Sequence, residues 1–311
     1  MPELPEVETI RRQLQKLIAG KKIKNTKVTL PKIIKAPIGD FKRAVCGAKI
    51  KSINRRAKLI IFGLDNGWSL LVHLKMTGQL VYVKKTVVIP ARSDSSETRR
   101  ANAGIQDSGS PRIKYGASLV KPGMTNQKHT HVIFNFTDGS RLLFNDLRQF
   151  GYLKVVKSAQ LPDYFLREGF GPEPLNKDFT LADFERLLKK KSSAKIKQFL
   201  MDQKNLAGIG NIYSDEILFF AGVNPLRRIA FLKYNEIKKI YRGIKKILPE
   251  AIKLKGTSAN NYLDAFGQKG KFALQLKVYG REGKKCVKCK GQVARIKING
   301  RSAHFCPACQ K

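Results

Sequence analysis

The four cysteines near the C-terminal end constrain the fold more than any other feature of this 311-residue chain. They form two C-x2-C pairs separated by sixteen residues, namely Cys286, Cys289, Cys306 and Cys309. This spacing is typical of a tetrahedral zinc site with four thiolate ligands. Disulfide bonds are the alternative, but no secretory signal is visible and the fifth cysteine, Cys46, would remain unpaired. We therefore predict one Zn²⁺, with a structural role, because four protein ligands leave no position for a catalytic water.

The segment between the cysteine pairs has the pattern of a β-hairpin. From Val293 to Ile298, apolar residues alternate with cations, and Asn299-Gly300 is a two-residue turn signal. The residues from Arg301 to Phe305 have the pattern of the returning strand. The sequence thus predicts a hairpin fastened by zinc, with Arg301 near its tip.

The N-terminus offers a nucleophile. Removal of Met1 would leave the secondary amine of Pro2 as the first group of the chain. An α-amino group titrates near a pKa of ~8, so a fraction is neutral at physiological pH and can attack a carbonyl-like carbon. Glu3 and Glu6 place carboxyl groups beside this amine, where they can transfer protons. The alternative is an ordinary helix start from about Val7, with acidic residues that favour the helix dipole.

The charge of the chain indicates a polyanionic partner. It has 61 Lys and Arg residues against 23 Asp and Glu, a formal net charge of +38. Nucleic acid is the expected partner because neutralised phosphates release counterions. A lysine-rich proteome would account for part of this excess, and a membrane surface is the competing polyanion. However, no apolar run approaches the ~18 residues of a spanning helix. We expect a soluble, intracellular protein and no membrane partner.

The pattern of turns and apolar residues predicts an α+β multidomain chain. Short Val-, Ile- and Leu-rich segments around Asn66-Gly67 and Asp138-Gly139 are typical of antiparallel hairpins in a β-sandwich. Thr180 is a plausible N-cap of the first of several later helices, and Gly208 and Gly210 lie in a turn between two of them. These glycines would let backbone N–H groups approach a phosphate.

We expect an N-terminal β-sandwich with flanking helices, followed by a helical domain that contains a helix-turn-helix type unit, and then the zinc finger. The glycine-, serine- and arginine-rich stretch within the sandwich is expected to be a mobile insertion. The predicted ranges are 1–155 for the sandwich, 84–128 for its insertion, 156–175 for a linker, 176–280 for the helical domain and 281–311 for the finger.

Three separate parts of the chain together resemble one family. They are the start Pro2-Glu3-Leu4-Pro5-Glu6-Val7-Glu8, the block from Asn205 to Pro225, and the end of the finger from Arg301 to Gln310. They are similar to the bacterial formamidopyrimidine-DNA glycosylases, whose block of two helices is a helix-two-turn-helix unit. Leu4 and Val7 favour this branch over the related endonuclease VIII branch. The resemblance covers nearly the whole chain except the insertion.

The resemblance implies a bifunctional DNA glycosylase and abasic-site lyase of base excision repair, located in the bacterial cytoplasm and associated with the nucleoid. Its substrate would be double-stranded DNA that contains 8-oxoguanine, a formamidopyrimidine or an abasic site, with the oxidised purine flipped out of the duplex. Pro2 would attack C1′ of the sugar to give an iminium, and β- and δ-elimination would follow. Glu3 would be the proton donor, Glu6 would help to position the lesion nucleotide, and Lys58 would contact the phosphate beside it.

The resemblance also implies a set of residues that bind DNA as a monomer. Met76, Arg148 and Phe150 match a trio that fills the gap left by the flipped base. For Met76 and Phe150, packing in the core is the alternative. The residues that match contacts to the DNA backbone are His73, Asn211 and Arg301.

The chain departs from the family pattern at two residues besides the insertion. Lys75 stands where the family commonly has Gly, and Gln149 where it commonly has a second Arg. We expect these changes to alter DNA-binding geometry more than the chemistry. Two other functions remain open: a glycosylase for oxidised pyrimidines, and a catalytically silent zinc-finger protein that binds DNA.

Overall fold

Two antiparallel sheets of four strands each form the N-terminal part of the chain. The computed structural model describes residues 2–85, 127–258 and 261–311. The strand orders are β1-β6-β7-β5 and β2-β3-β4-β8, and a separate hairpin pairs β9 with β10. The strands are β1 (Ile23–Val28), β2 (Ile50–Arg56), β3 (Leu59–Leu64), β4 (Trp68–His73), β5 (Gly78–Val83), β6 (Thr130–Phe136), β7 (Arg141–Asp146), β8 (Tyr152–Lys157), β9 (Ala294–Ile298) and β10 (Arg301–Phe305).

One apolar core joins the two sheets and the first helix. Phe62 and Val72 of one sheet and Phe134 and Phe144 of the other belong to the same buried cluster. Both predicted hairpins are present, because β3 pairs with β4 and β6 with β7. The predicted insertion at 84–128 lies almost wholly outside the described residues, since 86–126 are not described.

The second core is helical. The helices of the chain are α1 (Leu4–Ile18), α2 (Ile38–Val45), α3 (Leu161–Glu168), α4 (Leu181–Lys189), α5 (Ile196–Met201), α6 (Asn211–Ala221) and α7 (Tyr234–Lys253). Thr180 caps α4 as predicted, because its side chain accepts the N–H of Asp183. Ile240, Ile244 and Leu248 recur at helical spacing along α7 and pack in this core.

Two helices lie where the sequence suggested strands or a linker. Helix α2 interrupts the β-rich stretch, with Phe41, Ala44 and Val45 buried on one face. The predicted linker at 156–175 contains α3, which ends at Gly169 with a φ of 64°. In the described part of the chain, no helix is both long and apolar enough to cross a bilayer.

Candidate active site and nucleic-acid interface

The beginning of α1 joins the two cores. Leu4 belongs to the helical core, whereas Val7 and Ile10, further along the same helix, belong to the sandwich core. The Leu4 N–H donates to the carbonyl oxygen of Gly208 at 2.9 Å. Pro2 is buried immediately before this helix. The candidate nucleophile therefore lies where the two halves of the protein meet.

Glu3 is held by the N-terminus of α6. It is 1% exposed, and its carboxylate accepts the backbone N–H groups of Gly210 at 2.8 Å, Ile212 at 2.9 Å and Tyr213 at 3.4 Å. Unpaired N–H groups at a helix start favour a negative charge. A Cβ atom on Gly210 would lie 2.5 Å from the Glu3 carboxyl carbon.

The two glycines of this turn thus have a different role from the one we expected. A Cβ atom on Gly208 would lie 2.7 Å from the Leu4 side chain, just as one on Gly210 would meet Glu3. The N–H groups of the two glycines themselves are already bonded within the protein. The glycines allow the start of α1 to pack against the turn, because the Gly210 N–H is bonded to Glu3 and the Gly208 N–H to Gln203.

Glu6 lies beside Glu3 and is equally buried. Its carboxylate accepts the Tyr213 hydroxyl at 2.5 Å, the Thr257 N–H at 2.7 Å and the Glu3 N–H at 2.8 Å. Burial, and then the negative charge of Glu3, raise the pKa of Glu6 to about 7, although the three hydrogen bonds act in the opposite direction. A carboxyl group with a pKa near neutral can both donate and accept protons at physiological pH.

Lys58 brings a cation to the same site. It is 6% exposed, and burial lowers the pKa of its ammonium group. The charges of Glu3 and Glu6 oppose this shift, whereas those of Arg301 and Lys75 add to it. The pKa of Lys58 therefore depends on charges from α1, from the loop after β4 and from the zinc-finger hairpin.

A carboxylate that the sequence did not indicate holds the turn before Lys58. Ala57 has a φ of 52°, which is unusual for a residue with a side chain. Glu173 accepts the Ala57 N–H at 2.6 Å, Arg55 at 2.6 Å and Arg56 at 2.9 Å. Its position between two prolines gave no signal of this role.

The predicted trio lies on two adjacent loops of the sandwich. Phe150 is 54% exposed, so the alternative of core packing is wrong for this residue. Met76 is half-buried. The exposed Arg148 places its guanidinium 4.7 Å from the centre of the Phe150 ring. A planar cation and an aromatic ring offered to solvent together are suited to contact with bases.

Asp146 ties these two loops together. It is fully buried, and its carboxylate accepts the Thr77 hydroxyl of one loop and the N–H groups of Gly151, at 2.6 Å, and Arg148, at 3.3 Å, of the other. Both departures from the family pattern lie in these loops and have left-handed backbones, with a φ of 48° at Lys75 and 57° at Gln149. A left-handed backbone explains why Gly suits the position of Lys75.

His73 and Asn211 have distinct polar environments. The Nδ1 atom of His73 accepts the Lys75 N–H at 2.9 Å. Burial, and then the charges of Lys75 and Lys58, lower the pKa of His73 to about 3. The ring is therefore neutral, with its proton on Nε2 as a donor. Asn211 begins α6, and its buried Oδ1 has no hydrogen-bond partner among the described residues.

The zinc-finger hairpin agrees with the sequence almost residue for residue. Strands β9 and β10 pair around Asn299 and Gly300, whose φ values are 45° and 74°. Positive values at both residues are those of a type I′ turn. Arg301 follows the turn and is exposed.

The four cysteines form one compact cluster. The Sγ atoms of Cys286, Cys289, Cys306 and Cys309 all lie within 4.8 Å of one another. In a tetrahedral site with Zn–S bonds of ~2.3 Å, the sulfur atoms are roughly 3.8 Å apart. The separations of 3.5 Å for Cys289 and Cys306 and 3.9 Å for Cys286 and Cys309 fit this value. The thiolates of this cluster would hold one zinc ion.

Three family models cover most of the chain. The Formamidopyrimidine-DNA glycosylase N-terminal domain matches residues 1–153, the H2TH domain of the same enzyme matches 170–262, and the zinc finger found in FPG and IleRS matches 283–311. The chain belongs to the formamidopyrimidine-DNA glycosylase family. The predicted family, the α+β fold and the single zinc site are thereby confirmed.

Members of this family are similar to the chain over its whole length. The formamidopyrimidine-DNA glycosylase of Pelotomaculum thermopropionicum is 39% identical over 100% of this chain and 99% of that protein. A Lactococcus lactis Fpg in complex with DNA that contains an abasic site has a TM-score of 0.80 and 34% identity, over 99% of both chains. A mutant of that enzyme with Fapy-dG DNA has a TM-score of 0.81 and 33% identity, over 100% of both chains.

Proposed function

We propose that the chain is a bifunctional DNA glycosylase and abasic-site lyase that excises oxidised purines. The observation that carries this proposal is the arrangement of two buried carboxyl groups, Glu3 and Glu6, and the buried Lys58 beside Pro2. Burying two acids and a lysine is costly, and such groups cluster where proton transfer is needed. The family supplies the substrate class, which is double-stranded DNA with 8-oxoguanine, a formamidopyrimidine or an abasic site.

The chemistry starts with the Pro2 amine after removal of Met1. The Pro2 nitrogen forms a bond to C1′, and the base leaves with the electron pair of its own bond to C1′ and takes a proton from water. The Glu3 carboxylate accepts the proton that the Pro2 nitrogen loses and passes it to the ring oxygen, as the sugar ring opens to an iminium. Removal of a proton from C2′ then expels the phosphate on the 3′ side, and removal of a proton from C4′ expels the phosphate on the 5′ side. Water finally hydrolyses the iminium and releases the Pro2 amine. Glu6, with its pKa of about 7, positions the nucleotide and exchanges protons with the site. Lys58 binds the phosphate beside the lesion.

The remaining residues of the proposal grip the duplex. Met76, Arg148 and Phe150 fill the gap left by the extruded nucleotide, where the exposed ring and guanidinium are already adjacent. The residues proposed to bind the DNA backbone are His73 through its Nε2 proton, Asn211 and Arg301. We retain the predicted ranges of 1–155 for the sandwich domain, 156–175 for the linker, 176–280 for the helical domain and 281–311 for the zinc finger. We also propose that the protein acts as a monomer in the bacterial cytoplasm.

Borohydride trapping tests the proposal directly. The purified protein is mixed with a duplex that contains 8-oxoguanine opposite cytosine, reduced, digested and analysed by mass spectrometry. We expect a covalent adduct on Pro2, which also requires that Met1 has been removed. Tight binding without an adduct, from protein that lacks Met1, would contradict the proposal.

A second duplex with an oxidised pyrimidine distinguishes the two other functions. An adduct only with this duplex would assign the chain to pyrimidine lesions. No adduct with either duplex would indicate a silent DNA-binding protein.

A further inference from the structure

Tyr213 contacts both candidate catalytic carboxyl groups, although the mechanism above gives it no part. It lies on α6 and is fully buried. Its backbone N–H lies 3.4 Å from Glu3, and its hydroxyl donates to Glu6 at 2.5 Å. Its ring packs 5.7 Å from that of Phe272, centre to centre. A buried hydroxyl needs a partner, and here the partner is the acid itself.

The same hydroxyl contacts a third segment of the chain. The Tyr213 oxygen lies 3.1 Å from the hydroxyl of Thr257, whose backbone N–H donates to Glu6 at 2.7 Å. Gly256 has a φ of 79°, and a Cβ atom there would lie 2.7 Å from Glu6 Oε1. The segment Gly256-Thr257 therefore lies directly against the Glu6 carboxylate. Helix α1, helix α6 and this segment meet at one carboxyl group.

We propose that Tyr213 is a positioning residue for base excision, which fixes Glu6 between α6 and the segment Gly256-Thr257. This inference rests on the proposed glycosylase function and deepens it. If Glu6 positions the lesion nucleotide, its orientation matters while the base is attached. A preformed abasic site has no base to position, so the lyase reaction depends less on Tyr213.

The charged surroundings of Glu6 predict a second measurable effect of Tyr213, on the pH dependence of excision. The titratable groups that face Glu6 are Glu3, Lys58, Tyr213 and Tyr262. The hydrogen bond from Tyr213 lowers the pKa of Glu6 against the effects of burial and Glu3. Loss of the hydroxyl therefore raises the pKa of Glu6, and the limb of the pH–rate profile that reports Glu6 moves to higher pH.

The test compares Tyr213→Phe, which keeps the buried ring, with Tyr241→Phe. The Tyr241 hydroxyl donates to the carbonyl of Phe179 at 2.8 Å within the helical core, so this control removes a comparable hydrogen bond away from Glu6. Excision of 8-oxoguanine and cleavage of a preformed abasic site are measured from pH 5.5 to 9. For Tyr213→Phe we expect excision to fall at least about tenfold, lyase activity to stay within about threefold, and the limb to move upward. The control should behave as the wild type.

Two results would overturn the inference. One is a wild-type profile for Tyr213→Phe, and the other is an equal loss of both reactions without a shift of the limb, which would indicate a purely structural effect. If Tyr213→Phe does not fold, Thr257→Val is tested instead. Its pH–rate limb should also move to higher pH, by a smaller amount, and an unchanged profile would count against the inference. Absence of the wild-type borohydride adduct would instead refute the proposed function.

Discussion

Replacement of Gly210 by alanine should impair catalysis through a single methyl group. The backbone at Gly210, with φ −137° and ψ −152°, is extended, so alanine can adopt it. The added Cβ would nevertheless lie 2.5 Å from the Glu3 carboxyl carbon and 2.6 Å from Oε1. Carbon atoms do not approach so closely without repulsion, because their optimal separation is ~3.5–4.0 Å. The Glu3 carboxylate must therefore move away from the start of α6.

The size of the effect follows from the hydrogen bonds of Glu3. Its carboxylate accepts N–H groups of Gly210, Ile212 and Tyr213, and a shift that relieves the clash breaks at least one of them. A hydrogen bond to a charged group contributes ~1.5–3 kcal/mol. If the transition state loses the same amount, the rate of base excision falls roughly ten- to hundredfold.

Single-turnover excision with excess enzyme measures this rate without product release. Gly39→Ala is the matched control, since Gly39 is exposed on α2 and a Cβ there has no atom within 4 Å. The control should keep the wild-type rate. Thermal unfolding checks that Gly210→Ala is folded at the assay temperature. A folded Gly210→Ala protein with the wild-type excision rate would refute the assignment of Glu3 to catalysis.

Three further predictions concern stability and binding. The pKa of Glu6 is raised from 4.5 to about 7 in the folded protein, so its stabilising contribution is complete below pH 4.5 and is lost as the pH rises through 7. Urea unfolding of the wild type and of Glu6→Gln is therefore compared between pH 4.5 and 7. The free energy of unfolding of the wild type should fall by roughly 3 kcal/mol more than that of Glu6→Gln, and an equal pH dependence of the two proteins would contradict this prediction. Asp146→Asn should lose ~1.5–3 kcal/mol of stability by the same measurement and bind an uncleavable abasic-site duplex more weakly, because Asp146 joins two loops. Elemental analysis should give one zinc per chain, and its removal by a chelator should abolish binding to that duplex, whereas unchanged binding would argue against a role of the finger.

The sequence predicted those elements whose signals are local. The hairpin β9–β10 follows from alternation around Asn299-Gly300, and α4 follows from Thr180 as its cap. Helix α2 has an equally regular pattern, but it is only eight residues long and lies within a β-rich stretch. Short apolar segments do not distinguish a helix from a strand, so tertiary packing decided its structure.

The candidate site was predictable only in part, even with the family resemblance. The N-terminal residues themselves indicated Pro2, Glu3 and Glu6, and the resemblance added Lys58, whereas the groups that hold the two carboxylates are distant in sequence. Tyr213 lies 207 residues after Glu6, and Thr257 lies 251 residues after it. No periodicity or spacing rule connects residues so far apart, because their contact depends on the tertiary packing of the two cores.

The two sides of the site are held by different parts of the protein. The carboxylates of Glu3 and Glu6 are bonded to N–H groups at the start of α6 and at Thr257, both in the helical half. Lys58 follows Ala57 in a turn of the sandwich, and the Ala57 backbone N–H donates to the Glu173 carboxylate. The distance between acids and cation is therefore set by the packing of one half against the other. A buried acid with a pKa of about 7 destabilises the fold at neutral pH, and such a cost is expected where an ionisable group is kept for its chemistry. Substitutions that loosen the contact of Leu4 with Gly208 should thus reduce excision before they unfold either core.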